Sequence, residues 1–184
     1  MEEQRGSGRS EAFEQVVLPH LDAAYNLARW LVRDPHDAED IVQEAYLRAF
    51  KLFRGYQGGG ARAWVLKIVR NASYSFLEKI RPGDLVEKFD EEIHTAGTDQ
   101  LDAEAVLLQS AGSRMLREAL DELPVNLREV LVLRELEGMS YKEIAEVMDV
   151  PIGTVMSGLA RGRDQLRERL LRTREEGVQL GMRK

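Results

Sequence analysis

The stretch SYKEIAEVMDVPIGTVMSGLARGRDQLRERLL, Ser140 to Leu171, reads as two helices joined by a tight turn. Ser140 and Glu143 have the spacing of a capping box. The hydroxyl accepts a backbone N–H of the first turn, and the carboxylate accepts the N–H of the cap itself. Ile144, Ala145 and Met148 then fall on one face. Asp149-Val150-Pro151 ends this helix, because proline has no N–H to donate and disfavours helical angles in the residue before it. A second helix is predicted to start near Ile152 to Thr154. Val155, Leu159, Leu166 and Leu170 line its buried side at helical spacing. Thr154, Ser157, Gly158, Arg161 and Gln165 occupy the opposite side, all small or polar.

Such a pair is the pattern of a helix-turn-helix, in which the second helix enters the major groove of DNA. The angle between the helices must be fixed for that purpose. Upstream, Leu127, Val130, Leu131 and Leu133 supply an apolar surface to fix it. On these residues alone, a plain helical hairpin in any all-helical domain stays open as the alternative.

At 184 residues the chain suits one large domain or two small ones. Hydrophobic content of 43% provides for a core. No apolar run is long enough to cross a bilayer, and the polar start MEEQRGSGRSE lacks the core of a signal peptide. With no cysteine there is no disulfide framework and no thiolate metal site. A cytoplasmic chain without membrane insertion is expected. The net charge of −6, taken as a total, opposes DNA binding, but its distribution decides the matter. Between Asp84 and Glu104 eight acids face Lys88 alone, whereas Arg161 to Arg174 holds six arginines against Asp164 and Glu168. Basic charge therefore lies beside the proposed recognition helix, where phosphates would sit.

Residues 1–10 are expected to lack order. A first helix is predicted over Glu11 to Val32, striped by Phe13, Val16, Val17, Leu21, Ala24, Leu27, Ala28 and Leu31. Asp34 is a good N-cap with Pro35 at the first helical position. The second helix, about Pro35 to Phe53, is predicted to bury Ala38, Ile41, Val42, Ala45, Ala49 and Phe53, and to expose Asp37, Asp40, Gln43, Glu44 and Arg48. Gly58-Gly59-Gly60 closes the next loop. The third helix, about Ala61 to Lys79, buries Val65, Ile68, Val69, Ala72 and Phe76 or Leu77. Its other side offers Arg62, Lys67, Arg70, Asn71 and Tyr74, with Trp64 near the start. Cations interleaved with aromatics suit single-stranded nucleic acid, since bases stack on rings while cations follow phosphates. Rim aromatics of a helical core would give the same pattern. An acidic linker (83–103), a second bundle (104–172) and a fraying tail (173–184) complete the chain. The second bundle is predicted to hold helices over about Glu104 to Leu123 and Pro124 to Glu137 before the helix-turn-helix. The fold class is all-α: two small helical bundles joined by an acidic linker.

Three segments together resemble a bacterial sigma-70 family RNA polymerase sigma factor of the extracytoplasmic-function (ECF) group. DPHDAEDIVQEAYLRAF (Asp34 to Phe50) resembles the polymerase-docking helix. FRGYQ with ARAWVLKIVRNASY (Phe53 to Tyr74) resembles the −10-reading segment. LPVNLREVLVLRELEGMSYKEIAEVMDVPIGTVMSGLARGRDQLRERL (Leu123 to Leu170) resembles the −35-reading domain. The resemblance implies a region 2-like domain (11–82) and a region 4-like domain (104–172). It assigns Asp37, Asp40, Gln43 and Glu44 to core RNA polymerase, whose clamp coiled coil and flap are the expected contacts. It assigns Tyr56, Gln57, Arg62, Trp64, Lys67, Arg70 and Asn71 to the melted −10 DNA. Thr154, Ser157, Arg161 and Arg163 fall to the −35 duplex. Promoter DNA and an anti-sigma factor are implied partners, with no cofactor, no metal and no catalysis. The linker's acids would imitate RNA in the polymerase channel. Met156 and Gly158 stand where relatives often carry basic residues, and Ser75 and Glu78 where many carry Asp and Arg. Unusual promoter specificity, or weak DNA binding without polymerase, is therefore expected.

Two other functions compete: a sigma mimic that binds an anti-sigma protein without initiating, and a free-standing helix-turn-helix repressor. The mimic draws only on the thinned basic charge, and the repressor leaves Asp37 to Glu44 without a role. An enzyme fits least, because His20, His36 and His94 are scattered and form no triad or ligand set.

Overall fold

The computed structural model describes the backbone of residues 2–80 and 110–181, and side chains within 8–80 and 114–172. All of the described elements are helical. They are α1 (Glu2–Val17), α2 (Leu21–Val32), α3 (Pro35–Leu52), α4 (Ala61–Ile80), α5 (Ser110–Asp121), α6 (Val125–Leu131), α7 (Tyr141–Met148) and α8 (Ile152–Gly181). The predicted linker 83–103 and the start of the predicted helix at Glu104 lie outside the described residues.

The N-terminal unit is built on α2, α3 and α4, which pack on one another with α1 laid across α4. Leu27, Leu31, Val65, Leu66 and Val69 fill its centre. Asp34 caps α3 as expected, its carboxylate accepting the N–H groups of His36 (2.8 Å) and Asp37 (3.1 Å). Those two donors hold the Asp34 carboxyl below its ordinary range. Arg33 takes the left-handed conformation that ends α2, with φ of 70°.

Several boundaries differ from the sequence reading. The single helix predicted over Glu11 to Val32 is two helices, interrupted by a 3-10 turn at Leu18–His20. Pro19 lacks the N–H that a continuous helix requires. Residues 2–10, expected to lack order, form the start of α1. Arg9 anchors that end, donating to the Phe50 carbonyl and lying 4.6 Å above the Phe50 ring centre. The helix predicted over Pro124 to Glu137 is α only to Leu131, then continues as a π turn over Val132–Leu136. The Glu137 N–H reaches the Val132 carbonyl at 3.0 Å, five residues back rather than four. The tail expected to fray from Thr173 continues as α8 to Gly181.

The helix-turn-helix forms as predicted. The Ser140 N–H donates to Glu143 Oε2 (2.8 Å), and the Glu143 N–H donates to Ser140 Oγ (3.3 Å). Asp149 ends α7 in the left-handed conformation, with φ of 59°. Val155 and Leu159 of α8 are buried against α6 and α7. Gly162, which the sequence reading passed over, sets this contact. A Cβ there would lie 3.1 Å from Leu131 Cγ and 3.4 Å from the Leu127 carbonyl oxygen, so glycine lets α8 cross α6 closely.

Ser140→Ala removes the cap and is expected to lower stability by about 1 kcal/mol. Thermal unfolding of the chain and of the variant measures this. Glu143 adds a pH signature, because the Ser140 hydroxyl and N–H hold its carboxyl below the ordinary 4.5. Its contribution is complete above pH 4.5 and is lost as pH falls through the lowered value. Ser140→Ala should therefore flatten the acid limb of the stability profile; an unchanged limb would remove Glu143 from the account.

Candidate nucleic-acid interface

The expected polymerase face lies on α3. Asp40, Gln43 and Glu44 are exposed and Asp37 is half-buried. Glu44 accepts a hydrogen bond from Arg48 one turn along, at 2.9 Å. One turn beyond them Leu47 is 65% exposed, an apolar side chain between the acids and the basic Arg48 and Lys51.

The residues expected at the −10 strand fall into two groups. Tyr56 stacks on Phe53 with ring centres 5.7 Å apart, and Trp64 lies 5.0 Å from Tyr56. The Tyr56 hydroxyl donates to the Gly59 carbonyl, closing the loop on itself. Gly58, Gly59 and Gly60 all have positive φ, so this loop shape requires glycine. Gln57 is exposed in this loop, and Asn71 is exposed farther along α4.

The cations form the second group, and each meets a carboxylate of the C-terminal unit. Arg62 pairs with Glu137 at 2.5 Å, Lys67 with Asp149 at 3.0 Å and Arg70 with Glu129 at 2.6 Å. Glu129 is 0% exposed and also accepts from the Tyr74 hydroxyl at 2.7 Å. Burial pushes the Glu129 carboxyl up, and the Arg70 charge with two donated hydrogen bonds pulls it back. For Arg70, burial disfavours the charge, but Glu129 and Tyr74 outweigh it and raise its pKa. Tyr74 is pushed up by burial and by the neighbouring carboxylate, so it stays a neutral donor. The Asp149 carboxyl is held down by the Lys67 ammonium.

These pairs sit on a broader seam where α2 meets α6 and α4 meets α7. Asn26 of α2 donates to Glu137 at 3.3 Å. Arg128 donates across the seam to the Leu31 carbonyl at 3.3 Å, and Arg33 donates to the Asp121 carbonyl. The apolar cores of the two units join in one buried cluster. None of Arg128, Glu129 or Glu137 was singled out from sequence. A signal was present: Arg128-Glu129 interrupts an apolar run, NLREVLVL, at positions that point inward. Charges so placed are buried and need partners from elsewhere.

On α8, Thr154, Ser157, Arg161 and Arg163 are half-buried. The Ser157 hydroxyl donates to the Thr154 carbonyl at 3.1 Å, and Arg163 grips Glu135 with both Nε (3.1 Å) and Nη2 (2.6 Å). Gly158, expected on the exposed side, is buried, so it is not a surface position for close approach to a groove. Met156 is 55% exposed, which leaves an apolar side chain on the presented face.

A helix-turn-helix unit beside a unit with an aromatic, cationic helix and an acidic flank has the features of an all-helical nucleic-acid-binding protein. Residues 16–82 match the family model described as Sigma-70 region 2, and residues 113–166 match Sigma-70, region 4. The chain is 34% identical over 170 residues to the ECF RNA polymerase sigma factor SigE of Mycolicibacterium smegmatis, covering 91% of this chain but 65% of that one. It is 31% identical over 171 residues to the ECF RNA polymerase sigma-E factor of Haemophilus influenzae, covering 89% of each. Among solved structures it resembles the sigma factor RpoE in complex with the anti-sigma factor NepR from Bartonella quintana. That match has a TM-score of 0.65 and 30% identity, over 87% of this chain and 97% of that one. The chain belongs to the sigma-70 family, in its ECF group of RNA polymerase sigma factors. Among the described residues no helix is long and apolar enough to cross a membrane.

Proposed function

We propose that the chain works in the cytoplasm with its tasks divided among three faces, under control of an anti-sigma factor. Asp37, Asp40, Gln43 and Glu44 of α3 dock on core RNA polymerase. Tyr56, Gln57, Arg62, Trp64, Lys67, Arg70 and Asn71 take the melted −10 strand, the rings stacking on bases and the cations following phosphates. Thr154, Ser157, Arg161 and Arg163 contact the −35 duplex, where arginine can bind guanine bidentately or grip a phosphate. The observation that carries this reading is the separation of charge within one unit. An acidic exposed face on α3 and a cationic, aromatic face on α4 suit two different partners. Control by an anti-sigma factor is supported by the solved RpoE–NepR complex, which this chain resembles over most of its length.

Run-off transcription with core polymerase tests the reading. The chain should direct starts from a defined promoter motif, whereas a sigma mimic would yield no transcript from any promoter pool. Asp40→Ala combined with Glu44→Ala should weaken capture of core polymerase by about 30-fold or more, equivalent to about 2 kcal/mol. Capture at the original level would move the docking face elsewhere.

A further inference from the structure

The first turn of α8 is pinned: the Thr154 and Val155 N–H groups both donate to the Pro151 carbonyl, at 3.0 and 3.3 Å. Buried Val155 and Leu159 then fix how the helix is rolled against α6 and α7. That roll turns Ile152 and Met156 outward, four residues apart on one face, 47% and 55% exposed. Their polar neighbours are partly committed. The Ser157 hydroxyl donates to the Thr154 carbonyl, and Arg163 sets its fork on Glu135. The start of the helix therefore presents an apolar pair, and its arginines begin only at Arg161. In a helix-turn-helix the N-terminal residues of the second helix lie against base edges. Of the four bases, thymine alone shows an apolar group in the major groove, its 5-methyl. Two side chains flanked by Thr154 and Ser157 match a methyl group in size, whereas a protein partner would need a far wider surface. The arginines farther along suit the phosphates beside such a base.

We propose that Met156, supported by Ile152, is a specificity-determining residue: its side chain packs on the 5-methyl group of a thymine in the −35 duplex. The proposal rests on the reading of α8 as the −35 surface. Selection at this step comes from excluding water around a methyl group, so it adds no phosphate contact and no salt dependence of its own. The −35 element of this chain accordingly holds a thymine facing Met156.

The test first selects promoters with the full chain and core polymerase from a pool randomised upstream of the start. A −35 motif with at least one strongly preferred thymine is expected. Duplexes of the selected sequence are then made with each thymine in turn replaced by deoxyuridine, which lacks only the methyl group. One such replacement should weaken holoenzyme binding by about fourfold, the loss for uncovering one methyl group. Met156→Gln keeps the length of the side chain but makes it polar. That variant should bind the thymine and deoxyuridine duplexes within about 1.5-fold of each other, the coupling being gone. Met156→Leu, still apolar, should retain the discrimination. Because the position is exposed, neither substitution disturbs the core. A defined −35 motif without thymine, a wild-type holoenzyme indifferent to deoxyuridine, or discrimination that survives in Met156→Gln would each overturn the proposal. Defined starts with no preference at all in the −35 region would instead strike the reading of α8 as the −35 surface, and the role of Met156 would fall with it.

Discussion

Replacing Arg128 with alanine is expected to lower stability by about 3–5 kcal/mol. The residue is 2% exposed, yet its guanidinium is well used. It donates to the Asp121 carbonyl at 3.1 Å, the Leu123 carbonyl at 3.5 Å and the Leu31 carbonyl at 3.3 Å. Two of these acceptors, Asp121 and Leu31, lie in last turns of α5 and α2, where a helix leaves carbonyls without partners. Arg128 is therefore a shared C-terminal cap for helices of both units. Truncation takes this donor from the Leu31 carbonyl in an apolar setting and opens a void at the seam, while the Asp121 carbonyl keeps Arg33. Lysine should restore little, since a single ammonium cannot span the acceptors that a planar fork reaches. Thermal melting checks this. At about 2–4 °C per kcal/mol for a chain of this size, the midpoint should drop by roughly 10 °C. A drop of only about 2 °C would mean that water replaces the guanidinium at low cost.

Leu66→Ala should be comparably damaging, at about 2–5 kcal/mol. Leu66 is fully buried in α4, the helix that touches α1, α2, α3 and α7. A cavity there has packed walls on several sides and cannot close by moving one of them. Urea denaturation measures the loss. The informative contrast is with Asn71→Ala on the same helix, an exposed position expected to change stability by no more than about 0.5 kcal/mol. A loss below about 1 kcal/mol at Leu66 would mean that the helices repack freely around the site.

What was legible in the sequence follows from the range of the forces involved. The capping box at Ser140, the Asp34-Pro35 start of α3, the glycine loop before α4 and the Asp149-Val150-Pro151 turn all obey short-range rules. Each needs only a few neighbouring residues, so the residues declare it. The helix at residues 2–10 was illegible because Gly6 and Gly8 argue against it locally, while Arg9 secures it through Phe50, far along the chain. Pro19 was visible, but its effect depends on whether helix resumes beyond it.

The candidate site divides in the same way. The cations and rings of α4 could be nominated from pattern, and so could the acids of α3. Their engagement could not. Glu129, Glu137 and Asp149 lie 59, 75 and 82 residues from Arg70, Arg62 and Lys67, and no local rule links them. Arg128 and Glu129 were the strongest missed hint, being charges set in an apolar run. Their meaning depends on the approach of a second unit, which the sequence reading left open.

The π turn at Val132–Leu136 spreads one extra residue over a single revolution of the chain. Glu135 and Glu137, at and just past its end, address opposite neighbours: Arg163 in their own unit and Arg62 in the other. That one wide loop of backbone makes the orientation of α8 and the grip on the opposing unit mechanically interdependent. A disturbance that rewound it to ordinary pitch would be felt at both arginines at once.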